Sequence, residues 1–239
     1  MIQIAVKTSA TLARGLRVLE TVAVLQPVGL AGLTAALGED KSALQRTLAT
    51  LHEAGWIAPR GPGTWELTTR ALSVAGRAAT SSPLVAGARP LLGALRDETG
   101  ETAHLALLDG ADLVVVDIAE ARQVVRTALY PGQRIAADAS AGGRAVCAAL
   151  DAAARRALFA DPSGLLPDAE YVRIAARGWA VCEGDVKPGW TSIASAVRTA
   201  GGAPVGAVVT SGPAQRLTPD RYDGIGALLH DVALELGRG

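Results

Sequence analysis

Aromatic side chains are scarce in this chain: Phe, Tyr and Trp together supply 3% of 239 residues, and there is a single Met. A core organised around large rings is thereby excluded, so close packing must come from Leu, Val, Ile and Ala, which bring the apolar share to 49%. Only two cysteines occur, Cys147 and Cys182. They exclude a disulfide framework and a cysteine metal cluster and suit a reducing compartment. The three histidines, His52, His104 and His230, fall on separate stretches, and none pairs with a cysteine in a nucleophile arrangement. There is no phosphate-cradling Gly-Lys-Ser/Thr loop and no metal-spaced His/Cys group, so no cofactor is expected and an enzyme is the weakest of the readings. Neither a signal-peptide pattern nor an apolar run long enough to span a bilayer appears, which predicts a cytoplasmic protein without a membrane partner.

Net charge is lacking too, with 23 Lys and Arg against 23 Asp and Glu. The balance is uneven, however: residues 1–70 hold seven basic against five acidic side chains, and the other 169 hold sixteen against eighteen. Strong non-specific binding of nucleic acid by one subunit is excluded, and a dimer would be needed to double the contacts. The length favours two domains.

What is present centres on residues 38–51. Leu44, Leu48 and Leu51 recur at helical spacing, while Ser42, Gln45, Arg46 and Ala49 share the opposite face. Asp40 is placed to cap the helix, and Gly38 to close the one before it. A face of small polar tips suits a DNA major groove: Arg46 can reach guanine, Gln45 adenine, and Lys41 and Ser42 phosphates. Upstream, Leu12, Leu16, Leu19 and Ala23 mark a first helix, stopped by Pro27 and Gly29, and Leu30, Leu33 and Leu37 mark a second. Downstream, Trp56–Ala58 and Thr64–Leu67 read as strands around a Pro/Gly turn with Arg60 at its tip. The arrangement is a winged helix-turn-helix.

From Ala71 to Glu98 an Ala/Leu-rich helical stretch breaks near Ser81-Ser82-Pro83; it is the natural place for two subunits to cross. Beyond it come strands at 104–108, 113–118 and 124–130, helices starting near Ala141, Ala152 and Ala169, strands at 179–183, 192–198 and 205–211, and a last helix from Asp220 to Leu236. Strands, helices and strands with hairpin-length links predict an α+β domain over an antiparallel sheet. Domains are therefore expected at 1–70 (DNA-binding), 71–98 (helical linker) and 99–239. Cys147 reads as a small buried hydrophobe and His104 as a satisfied core or edge residue.

The helix-turn-helix with Lys41-Ser42 and Arg46, the wing and the linker are followed by a set of segments in a fixed order. These are Ser140–Ala145, Arg177–Ala180, Pro188-Gly189, Ile193-Ala194 with Val197-Arg198, and Thr210–Pro213 with Arg216-Leu217. Over residues 12–236 the whole resembles the IclR family of bacterial transcriptional regulators. The resemblance implies a GAF-like effector domain that binds a small metabolite, often an organic or aromatic acid. It also implies a homodimer or dimer of dimers on double-stranded operator DNA. The effector site it implies lies between Ala141, Gly142 and Gly143 and the segments carrying Cys182, Asp185, Trp190, Ser192 and Ser211. Free amides at a glycine-rich helix start would suit a carboxylate there. Departures from the family pattern are Arg144 for lysine, Cys182 for an acid, Gln45 for histidine and Asp40 for proline. Two alternatives keep their place: a constitutive DNA-binding dimer whose second domain only oligomerises and, less favoured, a small-molecule enzyme.

Overall fold

A computed structural model describes residues 8–238, and the chain divides into two compact units parted between Ala78 and Ala79. In the first, helices α1 (Ala10–Leu25), α2 (Leu30–Leu37) and α3 (Lys41–Glu53) surround a core of Val18, Val22, Leu33, Leu44, Leu48 and Ile57. The short β1 (Val28–Gly29) joins β2 (Ile57–Gly61) and β3 (Thr64–Leu67) in an antiparallel sheet ordered β1-β3-β2. Gly38 ends α2 in the left-handed region (φ 66°), and its amide returns to Thr34 O at 2.9 Å. Two residues later Asp40 accepts from the amides of Ser42 and Ala43 at 2.8 and 3.1 Å, which starts α3.

The first helix buries a different face from the one its leucines suggest. Leu12 and Leu16 are 62% and 51% exposed, whereas Val18 and Val22 are fully buried. One residue is about 100° of helix rotation, so an apolar stripe fixes a face no better than that. The buried face packs Val18 and Val22 into the core with Leu33, Leu44 and Leu48, and beside it Glu39, in the turn before α3, pairs with Arg14 at 2.7 Å and Arg17 at 3.0 Å.

Helix α4 (Thr69–Thr80) follows β3. The expected break falls at Ser81-Ser82, and Ser82 caps α5 (Pro83–Thr99), which runs through Pro90 without interruption. In the second unit α5 is a core element: Ala88, Leu92 and Leu95 are buried against β4 (Thr102–Asp109) and the sheet it belongs to. That sheet also contains β5 (Asp112–Ala119), β6 (Arg134–Ala136), β7 (Ala180–Glu183), β8 (Trp190–Arg198) and β9 (Pro204–Pro213). All neighbours are antiparallel, in the order β6-β5-β4-β9-β8-β7. On one face lie α5 and α9 (Tyr222–Leu236); on the other lie α6 (Ala141–Ala148) and α8 (Asp168–Arg177), with α7 (Ala152–Ala157) between them in sequence. The architecture is α+β, as expected.

The strand expected at 124–130 is absent. Val124 and Val125 are 95% and 60% exposed, and the edge of β5 is taken instead by Gly132 and Gln133, which exchange bonds of 2.8 and 2.9 Å with Val115, and then by β6. An apolar run becomes a strand only where a free edge accepts it. This one is tied down as irregular chain, with Thr127 O accepting from Thr102 Oγ1 at 3.0 Å and Val125 O from the Arg216 guanidinium at 2.9 Å.

Candidate functional sites

In the first unit the outer face of α3 is open: Lys41, Ser42, Gln45, Arg46 and Ala49 are all exposed while Leu44 and Leu48 hold the helix down. The polar tips are not independent. Ser42 Oγ donates to Asp40 Oδ1, and the Arg46 guanidinium reaches Ser42 Oγ at 3.4 Å. These bonds, that of the Ser42 hydroxyl foremost, hold the Asp40 carboxyl below the usual carboxylate range. Arg60 differs from expectation: the turn is Pro62-Gly63, so Arg60 lies within β2, where it pairs with Glu66 at 3.4 Å and stays 67% exposed. A two-residue connection leaves no room for a five-residue tip.

In the second unit a cavity of about 180 Å³ opens between the start of α6 and the sheet. Ser140 caps α6, its Oγ accepting from the Gly143 amide at 3.1 Å. The amides of Ala141 and Gly142, first in the helix, have no intrahelical acceptor and stand at the cavity. Strand register supplies the floor. Thr102 on β4 lies opposite Ser211 on β9, Ser211 opposite Ser192 on β8, and Ser192 opposite Cys182 on β7, a polar row crossing four strands. Ser192 and Ser211 share a hydroxyl hydrogen bond of 2.8 Å, and Cys182 Sγ donates to Ala139 O at 3.3 Å. Burial pushes the Cys182 thiol up, and it takes Cys147, buried outside the cavity, to about 11; neither is a ready nucleophile.

Of the residues expected here, Ala141, Gly142, Cys182, Trp190, Ser192 and Ser211 line the cavity. Gly143 and Asp185 do not. A Cβ on Gly143 would stand 1.8 Å from Ala137 O, so that glycine permits close packing of α6 on the chain before it. The Asp185 carboxylate is taken by the Arg144 guanidinium, which also donates to Val181 O at 2.9 Å. Sequence reasoning missed His104, Thr127, Gln133 and Lys187, all of which line the same space. His104 is not the satisfied residue expected: it is 3% exposed, its Nδ1 has no partner, and burial lowers its pKa to about 4. A signal was available, because in 104–108 the alternation puts His104 and the small Ala106 on one face, leaving room beside a ring. Lys187 lies over the Trp190 ring at 4.3 Å. Among the described residues no group of His, Cys, Asp and Glu could hold a metal ion, and no helix is long and apolar enough to cross a membrane.

The same division appears in comparisons with known proteins. Residues 11–61 match the IclR helix-turn-helix domain, and residues 76–238 match the bacterial transcriptional regulator IclR C-terminal family. The chain is 30% identical to the HTH-type transcriptional regulator BhcR of Paracoccus denitrificans, over 95% of this chain and 85% of that one. It is 28% identical to the transcriptional repressor IclR of Escherichia coli, over 95% and 88%. Among solved structures, an IclR transcriptional regulator from Silicibacter superposes with a TM-score of 0.82 at 26% identity, covering 95% of each chain. A helix-turn-helix with an open polar face in one unit, a cavity at a capped helix start in the other, and matches to both halves in order converge: the chain belongs to the IclR family of bacterial transcriptional regulators, which join a DNA-binding domain to an effector-binding one.

Proposed function

We propose that this regulator reads its operator through Lys41, Ser42, Gln45 and Arg46, with Arg60 against the DNA backbone, and that a small carboxylic acid in the α6 cavity controls the reading. Residues 1–70 then act as the DNA-binding domain, 71–98 as the linker at which two copies meet, and 99–239 as the cytoplasmic sensor, in a dimer or dimer of dimers. The observation that carries the effector class is the start of α6, where Ala141 and Gly142, whose amides have no acceptor within the helix, line the cavity together with Ser192 and Ser211. Such a helix start favours an anion. Lys187, the one basic side chain in the lining, adds attraction of the same sign.

The test is a titration with short and aromatic carboxylic acids, read by Trp190 fluorescence and by release or capture of operator fragments selected from genomic DNA. A saturable change in both is expected. Fluorescence and DNA binding that ignore every acid would favour the constitutive dimer. For the DNA face, Arg46→Ala is expected to weaken specific operator binding by about 1–3 kcal/mol per half-site while leaving the melting temperature alone. Anisotropy against operator and scrambled duplexes measures it, and equal affinity in variant and wild type would show that α3 does not read bases at that position. The bond of 3.4 Å from Arg46 to Ser42 is long enough to be exchanged for a base at little loss.

A further inference from the structure

We propose that His104 and Thr127 form a hydroxyl-recognising subsite within this cavity, so that the effector is a short-chain hydroxycarboxylic acid. The proposal rests on the carboxylate reading above and adds a second pole to it. Two residues that line the cavity each carry a buried polar atom without a partner, Nδ1 of His104 and Oγ1 of Thr127. Buried donors and acceptors are seldom left unmet, and each one that is lowers stability. They come from unrelated places, the middle of β4 and the irregular 124–130 segment, yet they line one space.

Their position relative to the anion end follows from register. His104 lies opposite Val209, and Ser211 is two residues along β9 on the same face, a diagonal separation of about 7–8 Å between Cα atoms. A Cβ on Gly142 would lie 3.4 Å from Val209, so the start of α6 sits over the same place. A molecule of a few bonds therefore touches both poles. The cavity, about 180 Å³, is of the order of the roughly 150 Å³ that accommodates benzene, which limits the occupant to a few carbons.

The chemistry of the second pole is uncharged. His104 is neutral at physiological pH, its neighbours in the lining include Ala106, Leu113 and Val209, and Lys187 is the only ionised side chain there. A second carboxylate would be desolvated at this pole without a counter-charge. A hydroxyl donates to one of the two orphan groups and accepts from the other, whichever imidazole tautomer is present. A carbonyl oxygen meets both atoms only in the tautomer that protonates Nδ1, whereas a hydroxyl serves either tautomer, and a methylene leaves both atoms unmet.

The test uses the full chain and isothermal titration with matched probes: lactate, pyruvate and propanoate, then 3-hydroxybutanoate, acetoacetate and butanoate. In at least one series the hydroxy acid is expected to bind about tenfold more tightly than both partners, the size of one net hydrogen bond. That preference should vanish in His104→Leu and in Thr127→Val while affinity for the deoxy acid is kept. Thr127→Val is nearly isosteric and guards against a folding defect in the first variant. Equal binding of hydroxy and deoxy or oxo acids by the wild type, or a preference that survives both substitutions, would overturn the subsite and leave the carboxylate reading standing. Failure of every acid to bind would remove both.

Discussion

Replacing Arg216 with alanine is expected to destabilise the second unit by about 3–5 kcal/mol, the usual consequence of leaving a buried charge without its partner. Glu101 is 1% exposed, and a Cβ on Gly212 would lie 2.3 Å from its Oε2, so the carboxylate is pressed against β9. Its counter-charge is the Arg216 guanidinium, which donates to both oxygens, to Oε2 at 2.8 Å. The same guanidinium donates to Val125 O at 2.9 Å and so anchors the segment that carries Thr127 to the cavity wall. Loss of stability should therefore be accompanied by loss of effector response. Urea unfolding followed by circular dichroism gives the first quantity. Adding Glu101→Gln to the variant should recover part of it, because an amide is easier to bury than an unpaired carboxylate. A loss below about 1 kcal/mol would mean that the carboxylate finds water or another donor.

Acid is expected to weaken the same unit through His104. Its pKa falls from 6.5 in the unfolded chain to about 4 in the fold, because burial penalises the imidazolium. The folded state binds fewer protons than the unfolded state between those values, so stability is complete above pH 6.5 and declines as pH falls toward 4. The full difference is of the order of 3 kcal/mol. The other ionisable side chains in the lining are Lys187 and the Cys182 thiol, and burial pushes that thiol further up, away from this window. The exposed carboxylates of Asp40, Asp97 and Asp161 are held low by hydrogen bonds, so their contributions are lost only at more acidic pH. Unfolding curves at several pH values should thus converge for His104→Leu and diverge for the wild type above pH 4. Identical acid sensitivity in the two would show that His104 is hydrated or paired in solution.

The features legible in the sequence were those decided within a turn or two of chain. The Leu30, Leu33, Leu37 repeat closed by Gly38 and the Asp40 cap depend on neighbours three or four residues away, and each stands where expected. The face of α1 was not legible, because it is set by packing against Leu33, Leu44 and Leu48 of the later helices. Nor was the fate of 124–130: its alternation suits a strand, but the β5 edge belongs to Gly132–Ala136.

The candidate site divides along the same line. Gly142 and Gly143 are equivalent as letters; one lines a cavity, while a Cβ on the other would stand 1.8 Å from the Ala137 carbonyl oxygen, a difference created by where Ala137 runs. Asp185, expected in the cavity, is instead claimed by Arg144, 41 residues away. By itself the sequence determined the helix-turn-helix with its Gly38 and Asp40 caps and the α+β class, which follow from periodicity and short-range hydrogen bonding, and the family, which follows from motifs in a fixed order. Only the tertiary structure decided which of the cavity-lining residues keep a polar atom unmet. Whether His104 Nδ1 has a partner depends on strands and loops brought together from distant parts of the chain, and short-range pattern carries no trace of that.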